Sequence, residues 1–189
     1  MPAFHARLSH VALQVRDLPR MRRFYDEVLG LRVSDHGLLQ AQGHALEGRE
    51  LVFLSGSPAV HHQLVLIAAG EGAAPVAAPA AAINHMAFLV GSLAELRAVR
   101  DRALALGATG LRPVDHGNAW SVYFRDPEDN PLEAFLDTPF HVPQPHGRPL
   151  DLDLSDAAIL AATEAACRDE PGFLPRAEWQ ARHAARLQG

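Results

Sequence analysis

A tyrosine and a glutamate that could act on a bound ligand stand ten residues apart, at Tyr123 and Glu133. The segment between them contains a polar turn at 126–130, whose Asp, Pro and Asn residues favour tight and left-handed backbone conformations. The sequence therefore predicts a hairpin in which Tyr123 faces Glu133, with Cβ atoms about 5 Å apart on one face of the sheet. Apolar neighbours place this carboxylate in a buried setting, where it needs a cation or hydrogen-bond donors. From this hairpin alone, a buried salt bridge and a metal ligand both remain open.

Two histidines recur at equivalent places of a repeated pattern. The segment 8–15, which contains His10, matches the segment 83–90, which contains His85, at an offset of 75 residues. Such self-similarity indicates an internal duplication. Taken alone, either histidine is explained by a core position with a backbone hydrogen bond. Together with the buried Glu133, the pair predicts a metal site, because imidazole and carboxylate groups are common ligands of divalent metals.

Hydrophobic periodicity and capping residues predict the strands and helices that carry these side chains. In the first half, a strand at 8–15 leads into a helix that Asp17 caps and Gly30 ends, with apolar residues spaced by three and four along one face. Three strands are predicted to follow, at 31–34, at 44–47 merging into 50–54, and at 63–68.

The second half repeats this order after a linker at 70–82 that is rich in Gly, Ala and Pro. Its helix runs over 92–106 with Ser92 as the cap, and its strands lie at 83–90, 110–114, 121–125 and 131–136. Each half is therefore a βαβββ unit, and the predicted fold class is α+β. We expect a single domain over 1–138, composed of the units 8–69 and 83–137.

A C-terminal extension occupies 139–189. Its first four prolines, Pro139, Pro143, Pro145 and Pro149, are expected to break any regular element, and two helices should follow at 155–168 and 175–187. Its apolar residues need cover, so we expect the extension to fold back on the domain or to lie on a second subunit of a homodimer. These residues are Ile159, Leu160, Thr163, Cys167, Phe173, Leu174 and Trp179.

Composition limits the classes of partner and compartment. The chain has 189 residues, of which 48% are hydrophobic, enough for one sizeable core. Its 17 basic residues, all arginine, are scattered and the net charge is −5, so we expect neither nucleic acid nor a membrane as a partner. The single cysteine, Cys167, excludes an internal disulfide. With no export signal among the first residues, these features predict a cytoplasmic protein.

The duplicated unit, with a histidine on the first strand of each copy and a glutamate on the last strand of the second, resembles the vicinal oxygen chelate superfamily. This superfamily includes glyoxalases, bleomycin resistance proteins and extradiol dioxygenases, and the resemblance covers residues 8–137. It implies two units whose curved sheets form an open, metal-holding, barrel-like cleft, with His10, His85 and Glu133 as the metal ligands. Aligning 63–67 with 131–135 puts Val65 opposite Glu133, so the first unit supplies no further ligand.

Two histidines and one carboxylate with open positions suit non-haem Fe(II) and O₂ chemistry. Within the superfamily the chain looks like a compact, one-domain relative of the type I extradiol dioxygenases, which open the rings of catechols. That resemblance implies Fe(II) as the cofactor, with Mn(II) able to substitute, and an aromatic diol and O₂ as substrates. It also implies His62 as the base, Tyr123 as a hydrogen-bond donor to the diol, and His116 as a further histidine at that end of the ring.

Three alternatives remain open. Simple strand parity would place His61, and not His62, on the face of Val65, so the choice between these two histidines is unsettled. The same fold and ligands also suit a redox-neutral glyoxalase-like isomerase, epimerase or lyase. A bleomycin-resistance-type protein that only binds a small molecule is the third alternative.

Overall fold

Each half of the chain builds its own sheet in the computed structural model, which describes residues 7–40, 42–70 and 83–188. The first unit consists of β1 (Val11–Val15), α1 (Leu18–Leu29), β2 (Arg32–Leu38), β3 (Glu50–Ser55) and β4 (Leu64–Ala68). Its strands lie in the order β1-β4-β3-β2. The pair β1 and β4 is parallel and the other two pairs are antiparallel.

The second unit repeats this arrangement. It consists of β5 (Met86–Leu89), α2 (Leu93–Ala105), β6 (Thr109–Asp115), β7 (Ala119–Arg125) and β8 (Pro131–Asp137). The extension follows with β9 (Phe140–His141), β10 (Arg148–Pro149), α3 (Asp156–Cys167), β11 (Leu174–Pro175) and α4 (Arg176–Gln188). The second sheet has the order β10-β6-β7-β8-β5, in which β5 and β8 are parallel, as β1 and β4 are in the first sheet.

The predicted α+β class of two βαβββ units with a helical extension is therefore confirmed. Within the described residues the two sheets remain separate and no closed barrel forms. Most of the predicted linker, 71–82, lies outside the described residues. No helix in the described part of the chain is long and apolar enough to cross a membrane.

Capping residues begin and end the helices where the sequence predicts. The Asp17 side chain accepts a hydrogen bond from the Arg20 backbone N–H at 3.0 Å, and Ser92 caps α2 in the same way at Glu95. Gly30 ends α1 at a φ of 69°, which glycine adopts without the steric cost of a Cβ. The apolar face of α1 is buried against the sheet through Leu18, Met21, Phe24, Tyr25 and Val28.

The two units are tied together at the β7–β8 turn. The Asp126 carboxylate, 2% exposed, accepts hydrogen bonds from the Tyr25 hydroxyl at 2.8 Å and from the Asn130 backbone N–H at 2.9 Å. The Glu128 carboxylate accepts from the Asp17 backbone N–H at 2.8 Å. Burial raises the pKa of Asp126, and these donors offset part of that effect. The turn that the sequence predicts from local chemistry also joins the second unit to the start of α1.

Two strand predictions need correction. The segment 44–47 is a turn and not a strand, because Gly43 and Gly48 adopt positive φ on either side of it and the Glu47 carboxylate accepts from the Gly43 N–H. The first strands are shorter than predicted. His10 and His85 each precede the first paired residue of β1 and β5.

The extension folds back on the second unit, as predicted. The Thr163 hydroxyl accepts a hydrogen bond from Trp120 Nε1–H at 2.8 Å and donates to the Asp115 carboxylate at 2.9 Å. Ile159 and Cys167 on the same face of α3 are buried. The expectation that the prolines break every regular element is wrong at Pro149, which pairs with Val114 as part of β10. Proline is tolerated there because β10 is an edge strand. The homodimer stays a prediction.

Candidate active site

One row of paired residues crosses four strands of the second sheet. Arg112 of β6 pairs with Tyr123 of β7, Tyr123 pairs with Glu133 of β8, and Glu133 pairs with Ala87 of β5. Directly paired residues project from the same face of a sheet. The predicted facing of Tyr123 and Glu133 is confirmed, and a cation, a phenol and a carboxylate lie side by side on one face.

His85 adds an imidazole to this row. Its Nε2 atom lies 3.0 Å from Oε2 of Glu133, whose side chain is 10% exposed. Its Nδ1 atom lies 2.8 Å from the amide oxygen of Asn84, which can only accept, so Nδ1 carries the proton. In the neutral ring, the Nε2 lone pair then faces a carboxylate oxygen. Two acceptors at this separation need a proton or a cation between them.

A divalent metal fits the His85–Glu133 pair. Two ligands held about 2.1 Å from one ion at right angles to each other are about 3.0 Å apart. The observed separation of Nε2 and Oε2 is 3.0 Å. The pair therefore has the donor types and the spacing of two neighbouring ligands of one metal ion.

Tyr123 is held by His116 at the turn between β6 and β7. Nδ1 of His116 lies 2.6 Å from the carbonyl oxygen of His146, so it donates its proton to that acceptor. In the neutral ring Nε2 is then an acceptor, and it lies 3.0 Å from the Tyr123 hydroxyl. The phenol consequently donates to His116. Burial, followed by the neighbouring Glu133, raises the pKa of Tyr123 to about 12. The phenol therefore keeps its proton at neutral pH.

His10 and His62 form a second group on the first unit. Their ring centroids are 4.4 Å apart, and the His62 ring also meets the edge of Phe53 at 5.1 Å. The His61 ring lies beside that of His62, with their two Nδ1 atoms 2.9 Å apart, but its side chain is 60% exposed and its Nε2 atom lies 4.0 Å from Asp35. Of the two adjacent histidines, His62 is the one whose ring is nearest that of His10. Burial, followed by the charges of His10 and His61, lowers the pKa of His62.

The structure thus brings together His85, Glu133, Tyr123 and His116, and it places His10 with His62. No hydrogen bond or ring contact among the described residues links the two groups. In the same part of the chain no three His, Cys, Asp or Glu side chains lie together as a metal would require. The ligand set of His10, His85 and Glu133 and the role of His62 stay predictions.

Val65 occupies in the first unit the place that Glu133 occupies in the second. Ala12 pairs with Val65 across β1 and β4, as Ala87 pairs with Glu133 across β5 and β8. The predicted alignment of the two halves is therefore confirmed. Because Val65 is buried and has no polar atom on its side chain, the first unit has no carboxylate at the place that corresponds to Glu133.

A cavity of about 310 Å³ opens over the row in the second sheet. Its walls include Ala87, Phe135, Tyr123, Glu133 and His116. Apolar side chains on one part of this wall and polar groups on another can hold a planar ring and direct its oxygen atoms to the polar side.

Arg112 is the residue of the Arg112–Tyr123–Glu133 row that was not predicted from the sequence. A bulge between Thr109 and Arg112 shifts the register of β6 against β7. Strand alternation read from the sequence alone cannot locate such a shift. The sequence does show an arginine, Arg112, in the strand that precedes the strand of Tyr123. This order of strands does not specify the residue with which Arg112 pairs.

Comparisons with known proteins agree with this architecture. Residues 7–134 match the family model described as the Glyoxalase/Bleomycin resistance protein/Dioxygenase superfamily. Biphenyl-2,3-diol 1,2-dioxygenase 3 of Rhodococcus globerulus is 33% identical over 135 residues, and biphenyl-2,3-diol 1,2-dioxygenase 2 of the same organism is 29% identical over 134. Each match covers 69% of this chain and 63% of the relative. The chain thus spans less than two thirds of the length of these curated relatives.

Solved structures share the fold. A glyoxylase/bleomycin resistance protein/dioxygenase domain from Frankia sp. EAN1pec is 25% identical, with a TM-score of 0.57 over 71% of this chain and 100% of that one. A glyoxalase family protein from Bacillus cereus is 18% identical, with a TM-score of 0.54 over 71% and 96% of the two chains. A genomically encoded fosfomycin resistance protein from Listeria monocytogenes is 20% identical, with a TM-score of 0.52 over 71% and 96%. The last two likenesses concern the fold alone.

Proposed function

Because this chain belongs to the glyoxalase/bleomycin resistance protein/dioxygenase superfamily, we propose that it is an Fe(II)-dependent extradiol dioxygenase of a catechol-type diol. The observation that carries the proposal is the 3.0 Å approach of His85 Nε2 to Glu133 Oε2 beside the Tyr123 phenol. The similarity to two biphenyl-2,3-diol 1,2-dioxygenases supports the reaction class. The reaction opens the ring beside the diol and incorporates both atoms of O₂, giving a muconic-semialdehyde-type product.

His85 and Glu133 are the residues that would hold the iron, and the proposal adds His10 as the third ligand. Three protein ligands leave places on an ion that accepts six, and Fe(II) bound there supplies a centre through which a diol can pass electron density to O₂. The buried carboxylate of Glu133 supplies negative charge, and His85 supplies a neutral nitrogen whose tautomer is set by Asn84.

The polar residues beside this pair have separate tasks. A catechol that binds through both oxygens loses at least one proton, so a base must lie within hydrogen-bond reach. We assign that task to His62, whose ring lies against the proposed ligand His10. Tyr123 keeps its proton, and its hydroxyl hydrogen, which points to Nε2 of His116 in the absence of substrate, turns to an oxygen of the diol when the diol binds. His116 holds the phenol in place for this exchange. Ala87 and Phe135 provide the apolar wall for the ring.

Oxygen uptake tests this function directly. Protein purified and loaded with Fe(II) under anaerobic conditions should consume O₂ when catechol, methylcatechol or biphenyl-2,3-diol is added, and a yellow ring-opened product should form. Glu133→Gln should abolish both signals, whereas Asp101→Asn, an exposed carboxylate on α2, should leave them unchanged. Absence of uptake with every diol tried would reject the dioxygenase and favour a redox-neutral isomerase or a binding protein.

A further inference from the structure

Arg112 places a positive charge at the edge of the candidate active site. It pairs with Tyr123 across β6 and β7, and its guanidinium carbon lies 4.9 Å from the centre of the Tyr123 ring. It stands in the same row as Glu133, on the same face of the sheet. This cation is therefore fixed relative to the phenol that is proposed to contact the diol.

No carboxylate of the described residues forms a salt bridge with Arg112, which is exposed. Three other arginines of the second unit, Arg97, Arg100 and Arg125, form salt bridges with carboxylates. Arg125 meets Asp129 at 3.3 Å, and Arg97 meets Asp156 at 2.7 Å. Arg148, the other arginine near the site, is bound to the buried Asp115 at 2.6 Å. Arg112 is thus available to bind an acidic group from outside the protein.

Arg112 lines a cavity that neighbours the one over Tyr123 and Glu133. The cavity over Tyr123 and Glu133 measures about 310 Å³, and a neighbouring one of about 330 Å³ is lined by Arg112, Val114 and Gly147. His116 lines both. A ring whose diol oxygens point to Glu133 can therefore extend a substituent past His116 towards Arg112.

We infer that the preferred substrate is a catechol bearing a carboxylate, and that Arg112 binds this carboxylate. The inference rests on the proposed function and specifies its substrate class. The guanidinium group binds a carboxylate through two parallel hydrogen bonds, which selects both charge and orientation. A carboxylate on the ring or on a short arm would then be held on the side of Tyr123 that faces away from Glu133.

The alternative role of Arg112 is to stack on Tyr123 and steady it. Stacking acts on every diol alike, because it does not involve the ring substituent. Recognition of a carboxylate acts only on acidic diols. The ratio of kcat/KM for an acidic diol to kcat/KM for a neutral diol therefore distinguishes the two roles.

Steady-state oxygen uptake with Fe(II)-loaded protein measures this ratio. Protocatechuate and homoprotocatechuate serve as the acidic diols, and catechol and methylcatechol serve as the neutral ones. The ratio should favour an acidic diol in the unaltered protein and should fall on the order of tenfold or more in Arg112→Met, since a lost charge-assisted pair weakens binding to that extent. Arg112→Lys should recover part of the ratio. Arg125→Met removes an equal charge from an exposed arginine of the same sheet and should leave the ratio unchanged.

Two results would overturn the inference. One is an unaltered protein that prefers neutral diols, and the other is an Arg112→Met protein in which acidic and neutral diols lose activity equally. Calorimetric titration of metal-free protein separates this inference from the proposed function. If no diol supports oxygen uptake but protocatechuate still binds more tightly than catechol in an Arg112-dependent way, the dioxygenase is rejected and the carboxylate site stands. If protocatechuate binds no better than catechol, the carboxylate site is rejected.

Discussion

Nε2 of His85 lies 3.0 Å from Oε2 of Glu133, although a helix and three strands, α2, β5, β6 and β7, lie in the chain between His85 and β8, the strand of Glu133. The parallel pairing of β5 with β8 produces this approach, because it sets Ala87, two residues after His85, opposite Glu133. Without a proton or a cation between them, a nitrogen lone pair and a carboxylate oxygen would repel each other at this distance.

Removal of the carboxylate should remove the metal. Glu133→Ala, purified anaerobically in Fe(II), should retain less than about a tenth of the iron of the unaltered protein, because one charged ligand is lost. Iron per chain is measured by elemental analysis, and His85→Ala should behave alike. Asp101→Asn provides the control for a lost surface carboxylate. A Glu133→Ala protein that retains its full iron content would show that Glu133 is not a metal ligand.

Tyr123 and His116 should act as one unit. Tyr123→Phe should lower kcat/KM about 10 to 100-fold while iron content is preserved, the size expected for one hydrogen bond in the transition state. His116→Phe should cost a similar factor, because His116 is a positioning residue whose Nε2 accepts from the phenol. The double variant should be no worse than either single one. Multiplied losses in the double variant would show that His116 acts independently of Tyr123.

Iron content and turnover should distinguish the role of His62 from that of His61. His62→Ala should keep its iron and lose most turnover, because the His62 ring lies 4.4 Å from that of the proposed ligand His10. His61→Ala should retain most of the turnover, since the His61 side chain is 60% exposed and its contact with this group is with His62, not with His10. The opposite pattern, with full kcat in His62→Ala and loss in His61→Ala, would assign the base to His61.

Tyr25 should contribute to stability by joining the two units. Tyr25→Phe leaves the buried Asp126 carboxylate short of one donor and should lower the free energy of unfolding by about 1–3 kcal/mol. Urea denaturation followed by circular dichroism measures the change. Arg23→Ala, which removes an exposed ion pair with Glu27 on the outer face of the same helix, should leave the unfolding midpoint unchanged. Equal midpoints for Tyr25→Phe and the unaltered protein would show that the bond does not stabilise the fold.

Cys167 should report the docking of α3. Its thiol is fully buried, and burial, followed by the charge of Asp115, raises its pKa, so little thiolate forms near neutral pH and iodoacetamide should react slowly. Thr163→Val deprives Trp120 of its acceptor and Asp115 of a donor, so α3 should open more often and labelling should accelerate. Thr109→Val, at an exposed position of β6, is the control. Identical labelling rates in Thr163→Val and in the unaltered protein would show that the Thr163 hydroxyl does not hold α3 in place.

Much of the fold follows from information that lies within a few residues. Helix α1 begins at Asp17 and ends at Gly30, as capping chemistry predicts, and the turn at 126–130 sets the pairing of Tyr123 with Glu133. The duplication was readable because each unit repeats the same order of short-range patterns. The segment at 44–47 was misassigned because two glycines with positive φ outweigh a short apolar pattern.

The candidate site depends both on local sequence patterns and on contacts between residues that are far apart in the chain. The duplicated units, the Tyr123–Glu133 pairing and the two repeated histidines follow from the pattern of residue types. The contacts of His85 with Glu133 and of His116 with Tyr123, and the place of Arg112 in their row, depend on how the strands pack. Pairing between β5 and β8, the bulge in β6 and the carbonyl of His146 bring these groups together. Such contacts join residues far apart in the chain and are selected by the packing of whole elements, which no local pattern of residue types specifies.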